Sequence, residues 1–319
     1  MINNIANFKD KRVLVTGGAG FIGSHLVHKL ASLGCEVTII DNLTSGSIKN
    51  IESLIDSDKV ELYTMGVEDA SVGIPIHMNR PEYVFHLAAI PGVSESVDDP
   101  LSTNKVNLSG SLNLLNSCVD IGVERFIFAS SSSIYGGAGS IPTKESEASN
   151  PKSPYALQKL TVEKYCKFFS EEKGLDTVCL RYFNVFGPRQ TGDSAYSAVI
   201  SSFCDALKNG NRPNIYGDGK QFRDFCYVEN VVRANLRAML YAGDFKGDVF
   251  NVGCGKKTTI NDLVDIMGLK SPIYFPSRKG DVKQSLADIS KIRRNLKYKP
   301  RVSVEAGILK TVDWYLKNG

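Results

Sequence analysis

The sequence lacks the patterns that mark secreted, metal-binding and membrane-spanning proteins. Its seven cysteines are odd in number and widely spaced, with no Cys-x-x-Cys pair, so neither a disulfide framework nor a zinc site is predicted. No apolar run approaches the roughly 18 residues that a membrane-spanning helix needs. The N-terminus has no basic-then-apolar signal pattern. We therefore expect a protein of the reducing cytoplasm that does not associate with a membrane.

An excess of charge of one sign is also missing. Lysine and arginine number 38 against 34 acidic residues, a net charge of +4, and there is no long block of like charge. The densest basic cluster, at 291–294, is expected on the solvated face of a late helix. This balance argues against a nucleic-acid partner. The 319 residues, 42% hydrophobic and 23% charged, suit one large globular domain or two closely joined ones.

The most informative stretch lies between residues 11 and 41. An apolar run at 12–16 predicts a buried parallel strand, and glycines follow at 17, 20 and 23. An apolar helix and a second buried strand at 36–40 complete a βαβ unit. Such a unit can hold a dinucleotide pyrophosphate at its helix N-terminus, because glycines let backbone N–H groups approach and the helix dipole favours negative charge.

Asp41, which follows the second strand, indicates which dinucleotide binds. A carboxylate there would accept hydrogen bonds from the adenosine ribose hydroxyls and would repel a 2′-phosphate, which favours NAD over NADP. The alternatives are that the glycines form an ordinary turn and that Asp41 is a cap or turn residue. The order of strand, glycine turn, helix, strand and acid favours the NAD site.

Strand and helix alternate for about 180 residues, which predicts an α/β fold with a doubly wound parallel (Rossmann) sheet. Further strands are predicted at 60–63, 81–89, 125–129, 177–182 and 249–252, and helices at 100–119, after Pro154 and at 231–241. The NAD-binding domain is placed at 1–186, with a return of the chain at about 225–252. A second, smaller α/β substrate-binding lobe is placed at 187–319, because the periodicity breaks at Gly187. His86, at a buried strand end, is expected to be packed and hydrogen-bonded rather than catalytic.

Tyr155 and Lys159 carry the predicted chemistry. Their spacing puts phenol and ammonium on one helix face, about 5–6 Å apart at Cβ. A tyrosine pKa near 10 is too high for a base at neutral pH. A neighbouring ammonium and an oxidised nicotinamide would lower the pKa of Tyr155. Ser131, after the preceding strand, could share the proton of the same substrate hydroxyl. The spacing alone can arise by chance on a helix, but the dinucleotide fold and the serine-rich strand end favour catalysis.

Six segments together resemble the extended short-chain dehydrogenase/reductases. They lie at 16–23, 86–89, 107–110, 130–136, 155–159 and 181–188. Within that superfamily the chain is most similar to the UDP-sugar 4-epimerases. The resemblance implies NAD as cofactor, a UDP-sugar as substrate, Tyr155 as the base, Lys159 as the cation that lowers its pKa and holds the nicotinamide ribose, and Ser131 as hydroxyl partner. Asn107 is implied to support the active-site helix. The candidate cofactor-binding residues are Gly17, Gly20, Phe21, Ile22, Gly23, Asp41, Asn42, Leu87, Ala88, Asn107, Tyr155 and Lys159.

The second lobe extends the resemblance to a nucleotide-diphosphate clamp. Arg223 and Arg278 are implied to bind the diphosphate, since a guanidinium fork matches phosphate geometry. Asp281 is implied to bind the uridine ribose, and Asn184 the diphosphate or the sugar. The alternative is that these arginines form surface salt bridges. The candidate substrate-binding residues are Ser131, Ser132, Tyr155, Asn184, Tyr216, Arg223, Arg278, Asp281 and Ser285.

Three positions narrow the predicted reaction. By the resemblance, a small residue at the position of Ser285 implies room for a 2-acetamido group; the alternative is that Ser285 merely fills a loop. The segment 192–200 also resembles enzymes acting on UDP-N-acetylglucosamine and its uronate. Ser132 and Ser133 stand where related dehydratases and decarboxylases carry acids, which points away from both reactions. The expected reaction inverts C4 of UDP-N-acetylglucosamine through a 4-keto sugar, giving UDP-N-acetylgalactosamine. The alternatives are a 4-epimerase of UDP-uronates or plain UDP-hexoses, and a dinucleotide sensor without chemistry, which would not need Tyr155 with Lys159.

Two further expectations come from the resemblance. Family members usually carry an Asp-Ile-type pair after the third strand to contact adenine, whereas this chain has Gly66 and Val67, so the usual carboxylate is missing. In this superfamily the helices at about 100–119 and 154–173 commonly pair into a four-helix bundle, so a homodimer is expected.

Overall fold

The computed structural model describes residues 8–55, 60–137, 139–190, 198–277 and 283–318. The chain forms two compact units. The first comprises Met1–Ile134, Pro151–Arg181 and Val232–Phe250, and the second comprises Tyr135–Asn150, Tyr182–Val231 and Asn251–Gly319. The NAD-binding domain predicted from the sequence instead ends at 186, returns at about 225–252 and includes 135–150.

A seven-stranded sheet forms the framework of the first unit. Its strands are β1 (Arg12–Thr16), β2 (Glu36–Ile40), β3 (Val60–Tyr63), β4 (Tyr83–His86), β5 (Arg125–Ser131), β6 (Thr177–Tyr182) and, later in the chain, β11 (Asp248–Val252). Their order is β11-β6-β5-β4-β1-β2-β3, and the pairs β1–β2, β2–β3, β1–β4 and β4–β5 run parallel. The strand order reverses between β1 and β4, which is where doubly wound sheets bind ligands. The predicted fold is confirmed.

The helices of this unit include one that differs from its prediction. They are α1 (Phe21–Ser32), α2 (Glu52–Ile55), α3 (Gly73–Asn79), α4 (Val93–Asp98), α5 (Pro100–Asn104), α6 (Ser111–Ile121), α7 (Pro154–Glu172) and α9 (Val228–Met239). The helix predicted over 100–119 is confirmed in extent, but a π-helical segment that was not predicted, Lys105–Gly110, lies between α5 and α6. At the end of that segment Gly110 lies so close to the loop after β3 that a Cβ would be 2.6 Å from Cγ2 of Val67. Apolar periodicity cannot reveal such a local widening.

The second unit is built from short elements. They are β7 (Val185–Phe186), α8 (Ala198–Lys208), β8 (Asn214–Tyr216), β9 (Phe222–Arg223), β10 (Cys226–Tyr227), β12 (Thr258–Thr259), α10 (Ile260–Ile266), β13 (Ile273–Phe275), α11 (Ser290–Leu296) and α12 (Val304–Asn318). Three two-stranded sheets, β10–β7, β12–β9 and β13–β8, connect them. Within the part of the chain described, no helix is long and apolar enough to cross a membrane.

Candidate active site

The glycine loop between β1 and α1 has the geometry that a pyrophosphate requires. Gly17 has a φ of +70°, and a Cβ at Gly23 would lie 2.0 Å from the carbonyl oxygen of Gly17, so neither position tolerates a side chain. Gly20 is the N-cap of α1 with no side-chain hydrogen bond to the cap, and the first turn, which starts with Phe21 and Ile22, holds no acid. The positive end of α1 therefore meets no competing carboxylate of its own, and the loop fits a dinucleotide.

Asp41 links this loop to the end of β2. It is buried, and its Oδ2 accepts a hydrogen bond from the backbone N–H of Ala19 at 2.9 Å. Its Oδ1 accepts from the N–H of Leu43 at 2.9 Å, while the exposed Asn42 accepts from Thr44 at 3.1 Å. Asp41 is thus a turn residue, as one sequence alternative held. Carboxylate oxygens have further lone pairs, so its contact with the ribose stays a prediction.

Lys159 is a buried charged group of the first unit. Its side chain is 3% exposed, and its Nζ donates a hydrogen bond to the carbonyl oxygen of Ala129 at 2.8 Å. The same nitrogen lies 4.7 Å from the ring centroid of Phe128 and 5.8 Å from that of Tyr155. Burial lowers the pKa of Lys159 to about 8, while the charge of Glu163 opposes this shift. The structure therefore brings the predicted ammonium next to the predicted phenol.

The start of α7 is fixed from two sides. Oγ of Ser153 caps the helix by accepting from the N–H of Ala156 at 3.2 Å, and the N–H of Tyr155 donates to Oγ of Ser96 at 3.1 Å. Ser131 and Ser132 are half-buried at the end of β5, beyond the carbonyl that holds Lys159. Oγ of Ser131 accepts from the N–H of Ser133 at 3.2 Å. The bond of Lys159 to Ala129 therefore places the first turns of α7 beside the end of β5, and a contact of Ser131 with Tyr155 stays a prediction.

Asn107, on the π-helical segment, connects α7 to the loop after β4. Its Oδ1 accepts from the N–H of Ile90 at 2.8 Å, and its Nδ2 donates to Oε1 of Gln158 at 2.8 Å. Gln158 in turn donates to Oγ1 of Thr103 at 3.1 Å. The structure thus shows the contact with the active-site helix that the resemblance implied. A contact of Asn107 with the cofactor stays a prediction.

His86 is structural, as the sequence analysis expected. It is buried, with Nδ1 2.7 Å from Oγ1 of Thr16 and Nε2 2.8 Å from Oγ of Ser111. Because the Ser111 hydroxyl donates to the carbonyl of Asn107 at 2.6 Å, Nε2 must carry the proton of a neutral ring. Burial lowers the pKa of His86 to about 3. Oγ1 of Thr16 also accepts from the N–H of Ala88 at 3.2 Å, which fixes the loop that contains Leu87 and Ala88.

Sequence reasoning missed a buried ion pair one turn after Lys159. Glu163 accepts two hydrogen bonds from Arg181, at 2.8 Å to Nε and 2.6 Å to Nη2, and one from Oγ of Ser130 at 2.6 Å. Both charged side chains are buried. The sequence indicated Glu163 only weakly, because a glutamate four residues after a lysine is common on solvated helix faces.

In the second unit, the structure brings together Asn184, Ser285 and the strand of Arg223. Nδ2 of Asn184 donates to Oγ of Ser285 at 3.4 Å, and the N–H of Ser285 donates to the carbonyl of Phe222 at 3.2 Å. Asn184 has a φ of +31°, an unusual value for a non-glycine residue. Tyr216, on β8, stacks on Phe275 with 5.5 Å between the ring centroids. Their contacts with substrate stay predictions.

Asp224, which the sequence analysis did not single out, holds this arrangement in place. Its carboxylate is buried and accepts from the N–H groups of Cys254, Gly255 and Ala287 at 2.7, 2.9 and 3.1 Å. Burial raises the pKa of Asp224 to about 6 despite these bonds. Asp224, which follows Arg223 directly, therefore connects β9 to the segment after Ser285 and to the loop of Cys254.

Part of the predicted site lies outside the described residues. Arg278 and Asp281 belong to 278–282, and most of the segment 192–200 belongs to 191–197. Within the ranges that are described, no group of three His, Cys, Asp or Glu side chains could hold a metal ion.

Comparison with known proteins shows the family. The model of the NAD dependent epimerase/dehydratase family matches residues 13–253, as the resemblance predicted. The UDP-glucose 4-epimerase of Mycolicibacterium smegmatis is 38% identical over 95% of this chain and 98% of its own length. The UDP-N-acetylglucosamine 4-epimerase of Methanobrevibacter ruminantium, solved with UDP-N-acetylmuramic acid, is 42% identical, with a TM-score of 0.91 over 98% of this chain and 100% of that one.

A third similar structure was solved with a dinucleotide. The UDP-glucuronic acid 4-epimerase of Bacillus cereus, in complex with UDP-glucuronic acid and NAD, is 31% identical, with a TM-score of 0.88 over 96% of this chain and 99% of that one. The three relatives thus share a reaction but differ in the sugar.

The burial of His86 predicts acid sensitivity. The folded protein keeps this ring neutral, whereas the unfolded chain protonates it near its ordinary pKa of 6.5, so stability is complete above that pH and is lost as the pH falls toward about 3. Between about pH 7.5 and about pH 5 we expect this group to remove about 2 kcal/mol from the free energy of unfolding. Denaturant titration of wild type and His86→Gln should show a smaller loss in the variant. The exposed His77→Gln is the control and should lose as much stability as wild type. An equal loss in wild type and in His86→Gln would contradict this assignment.

Proposed function

This chain belongs to the NAD-dependent epimerase/dehydratase family, and we propose that it is a UDP-sugar 4-epimerase that interconverts UDP-N-acetylglucosamine and UDP-N-acetylgalactosamine. The observation that carries this proposal is the buried ammonium of Lys159, held by Ala129 beside the ring of Tyr155. A binding protein without chemistry would gain nothing from this arrangement, since burying an ammonium costs free energy. The similar proteins named above are all UDP-sugar 4-epimerases.

The residues of the chain divide the work of the reaction. Oη of Tyr155, ionised because of the ammonium of Lys159, takes the proton from the C4 hydroxyl of the sugar, and Ser131 hydrogen-bonds the same hydroxyl. When bound, NAD supplies the acceptor and then the donor of the hydride at C4. The 4-keto sugar must turn over between the two transfers, so the diphosphate is held firmly and the sugar loosely. Arg223 and Asn184 are proposed to hold the diphosphate, and Arg278 and Asp281 retain the roles implied by the resemblance.

Epimerisation is favoured over the other reactions of the family. Ser132 and Ser133 form the start of the 3₁₀ turn after β5, where dehydration or decarboxylation would need a carboxyl group. A hydroxyl group with an ordinary, very high pKa cannot serve as the general acid there. Tyr155 is therefore the proton-transfer group proposed at this strand end, with Ser131 as its hydrogen-bonding partner, and this suffices for a reaction without net elimination.

The choice of sugar rests on Ser285. Its side chain is small and half-buried, and its backbone is fixed by Phe222, so the space beside it is set by the fold. A 2-acetamido group needs that space, which supports UDP-N-acetylglucosamine as substrate. Epimerases of UDP-glucose and of UDP-glucuronic acid are also similar to this chain, and these two sugars are the rival substrates.

Replacing Tyr155 by Phe tests the base. We expect turnover to fall by about 10²–10⁴-fold, because the phenylalanine ring cannot take the proton. NAD should still be bound, as measured by chromatography of the nucleotide released on denaturation. Tyr165→Phe, on the exposed side of the same helix, should retain normal turnover. Near-normal turnover of Tyr155→Phe would remove Tyr155 from the mechanism.

Replacing Ser285 by Tyr tests the choice of sugar. UDP-N-acetylglucosamine, UDP-glucose and UDP-glucuronic acid are compared in parallel, with products separated by chromatography. We expect the variant to lose at least about tenfold in kcat/KM for the acetamido sugar and to change little with UDP-glucose, because the larger ring fills the acetamido space. Gln284→Tyr, at the exposed neighbouring position, is the matched control. A wild type that turns over only UDP-glucose or only UDP-glucuronic acid would contradict the proposed substrate.

We also propose that two copies of the chain pair through α5 and α7. Leu157 and Phe168 are 55% and 47% exposed and lie on one face of α7, while Leu101 on α5 is 84% exposed. Gln158 joins the two helices by its bond to Thr103, so the exposed apolar groups belong to one rigid surface. Such a surface is typical of an interface.

Charge placed on this surface should separate the copies. We expect Leu157→Glu to convert a dimer into a monomer in light scattering after gel filtration, because a carboxylate would be buried without a partner. Leu316→Glu on α12, where the native leucine is 52% exposed, is the matched control and should not change the mass. A wild-type monomer at micromolar concentration would refute the pairing.

The seven cysteines are free and buried, which supports the proposed cytoplasmic location.

A further inference from the structure

The carboxylate of Glu163 lies one helical turn after Lys159 on the same buried face of α7. Four residues on a helix separate two Cβ atoms by about 5–6 Å, so a lysine and a glutamate at this spacing are within reach of an ion pair. The ammonium of Lys159 instead donates to the carbonyl of Ala129 at 2.8 Å, and among the described residues it forms no ion pair with Glu163. Something in the fold therefore keeps the two charges apart.

Three donors hold the carboxylate of Glu163 away from Lys159. Nε of Arg181 and Oγ of Ser130 donate to its Oε1 at 2.8 and 2.6 Å, and Nη2 of Arg181 donates to its Oε2 at 2.6 Å. Both donor side chains are buried. A guanidinium that bonds both oxygens of a carboxylate fixes its position and its plane. The charge of Glu163 is thus directed toward β5 and β6.

No other described group gives Lys159 a permanent negative neighbour. His86 on β4 is neutral, because burial lowers its pKa to about 3. Cys166 on α7 and Cys179 on β6 are buried thiols, which are neutral at pH 7. Burial also raises the pKa of Cys179 well above its ordinary value. Glu163 is therefore the one anion of the described residues that could compete for the ammonium at neutral pH.

The position of the ammonium decides what it does for Tyr155. Nζ of Lys159 lies 5.8 Å from the centroid of the Tyr155 ring, where its charge favours the phenolate. An ion pair with Glu163 would turn the ammonium toward the next turn of the helix, and the carboxylate would cancel much of its field at the phenol. The carboxylate is useful as a distant counter-charge and harmful as a direct partner.

We propose that Arg181 is a positioning residue for the epimerase reaction: by holding both oxygens of Glu163, it leaves the ammonium of Lys159 directed at Tyr155. This inference rests on the proposed role of Tyr155 as the base. Loss of Arg181 alone releases Glu163, which then captures the ammonium. Loss of both charges removes the competitor together with its restraint, so it should be less harmful than loss of Arg181 alone.

The protonation of Lys159 tests this role directly. Protein labelled with carbon-13 at Cε of lysine is titrated with pH and followed by NMR, and the signal of Lys159 is identified by its absence from Lys159→Met. Wild type should titrate near pH 8. In Arg181→Gln we expect the midpoint to rise by about one pH unit, because Glu163 then pairs with the ammonium. An unchanged or lower midpoint in this variant would overturn the proposal.

The double variant Arg181→Gln with Glu163→Gln keeps the test valid where the single variant does not fold. Its two carboxamides can bond each other, so no charge is left buried without a partner. We expect the Lys159 midpoint to lie below that of wild type, because the counter-charge is gone. A midpoint at or above the wild-type value would also overturn the proposal. Glu171→Gln, which removes an exposed carboxylate from the same helix, is the matched control and should leave the midpoint unchanged.

Turnover separates positioning from a general structural role. At pH 6.5 we expect Arg181→Gln to lose at least about tenfold in kcat, and the double variant to regain most of that loss. A merely structural ion pair predicts the double variant to be at least as impaired as the single one, and that result would count against the proposal. A wild type without turnover on any UDP-sugar would refute the proposed function, whereas the NMR titration tests the position of Lys159 independently of turnover.

Discussion

The buried ammonium of Lys159 is the constraint on which the candidate site depends. Taking an ammonium out of water is costly, and the cost is visible in the lowered pKa of this lysine. The carbonyl of Ala129, the faces of the Phe128 and Tyr155 rings and the nearby charge of Glu163 offset part of it. A buried ammonium does not improve the stability of the fold, and we propose that it serves instead to favour ionisation of the neighbouring phenol.

Several hydrogen bonds of the first unit fix the position of the helix that carries this lysine. Ser153 and Ser96 fix the first turn of α7, and Gln158 ties the next position to Asn107. Asn107 also binds both backbone groups of Ile90, at 2.8 and 3.0 Å, in the loop that follows the strand of His86. The helix of Tyr155 and Lys159 and the loop of Ile90 are therefore positioned by one amide side chain. The π-helical segment that interrupts the predicted helix is what carries this amide.

The sequence was most informative where local chemistry alone determines structure. The βαβ unit from Arg12 to Asp41 was predicted to the residue at both strands, because β-branched runs and a glycine turn need no tertiary information. The joining of Tyr155 and Lys159 followed from helix spacing. The ion pair of Glu163 with Arg181 and the clamp of Asp224 could not be predicted, since each depends on segments far apart in the chain.

The most direct test of the account is the ionisation of Tyr155 in the protein with NAD bound. Ultraviolet difference spectra, taken during a pH titration of wild type against Tyr155→Phe, isolate the phenolate of this one residue. The account predicts a phenolate that forms well below the ordinary tyrosine pKa of about 10 and that forms at higher pH in Lys159→Met. An ordinary pKa in wild type, or one that the loss of Lys159 does not change, would contradict it.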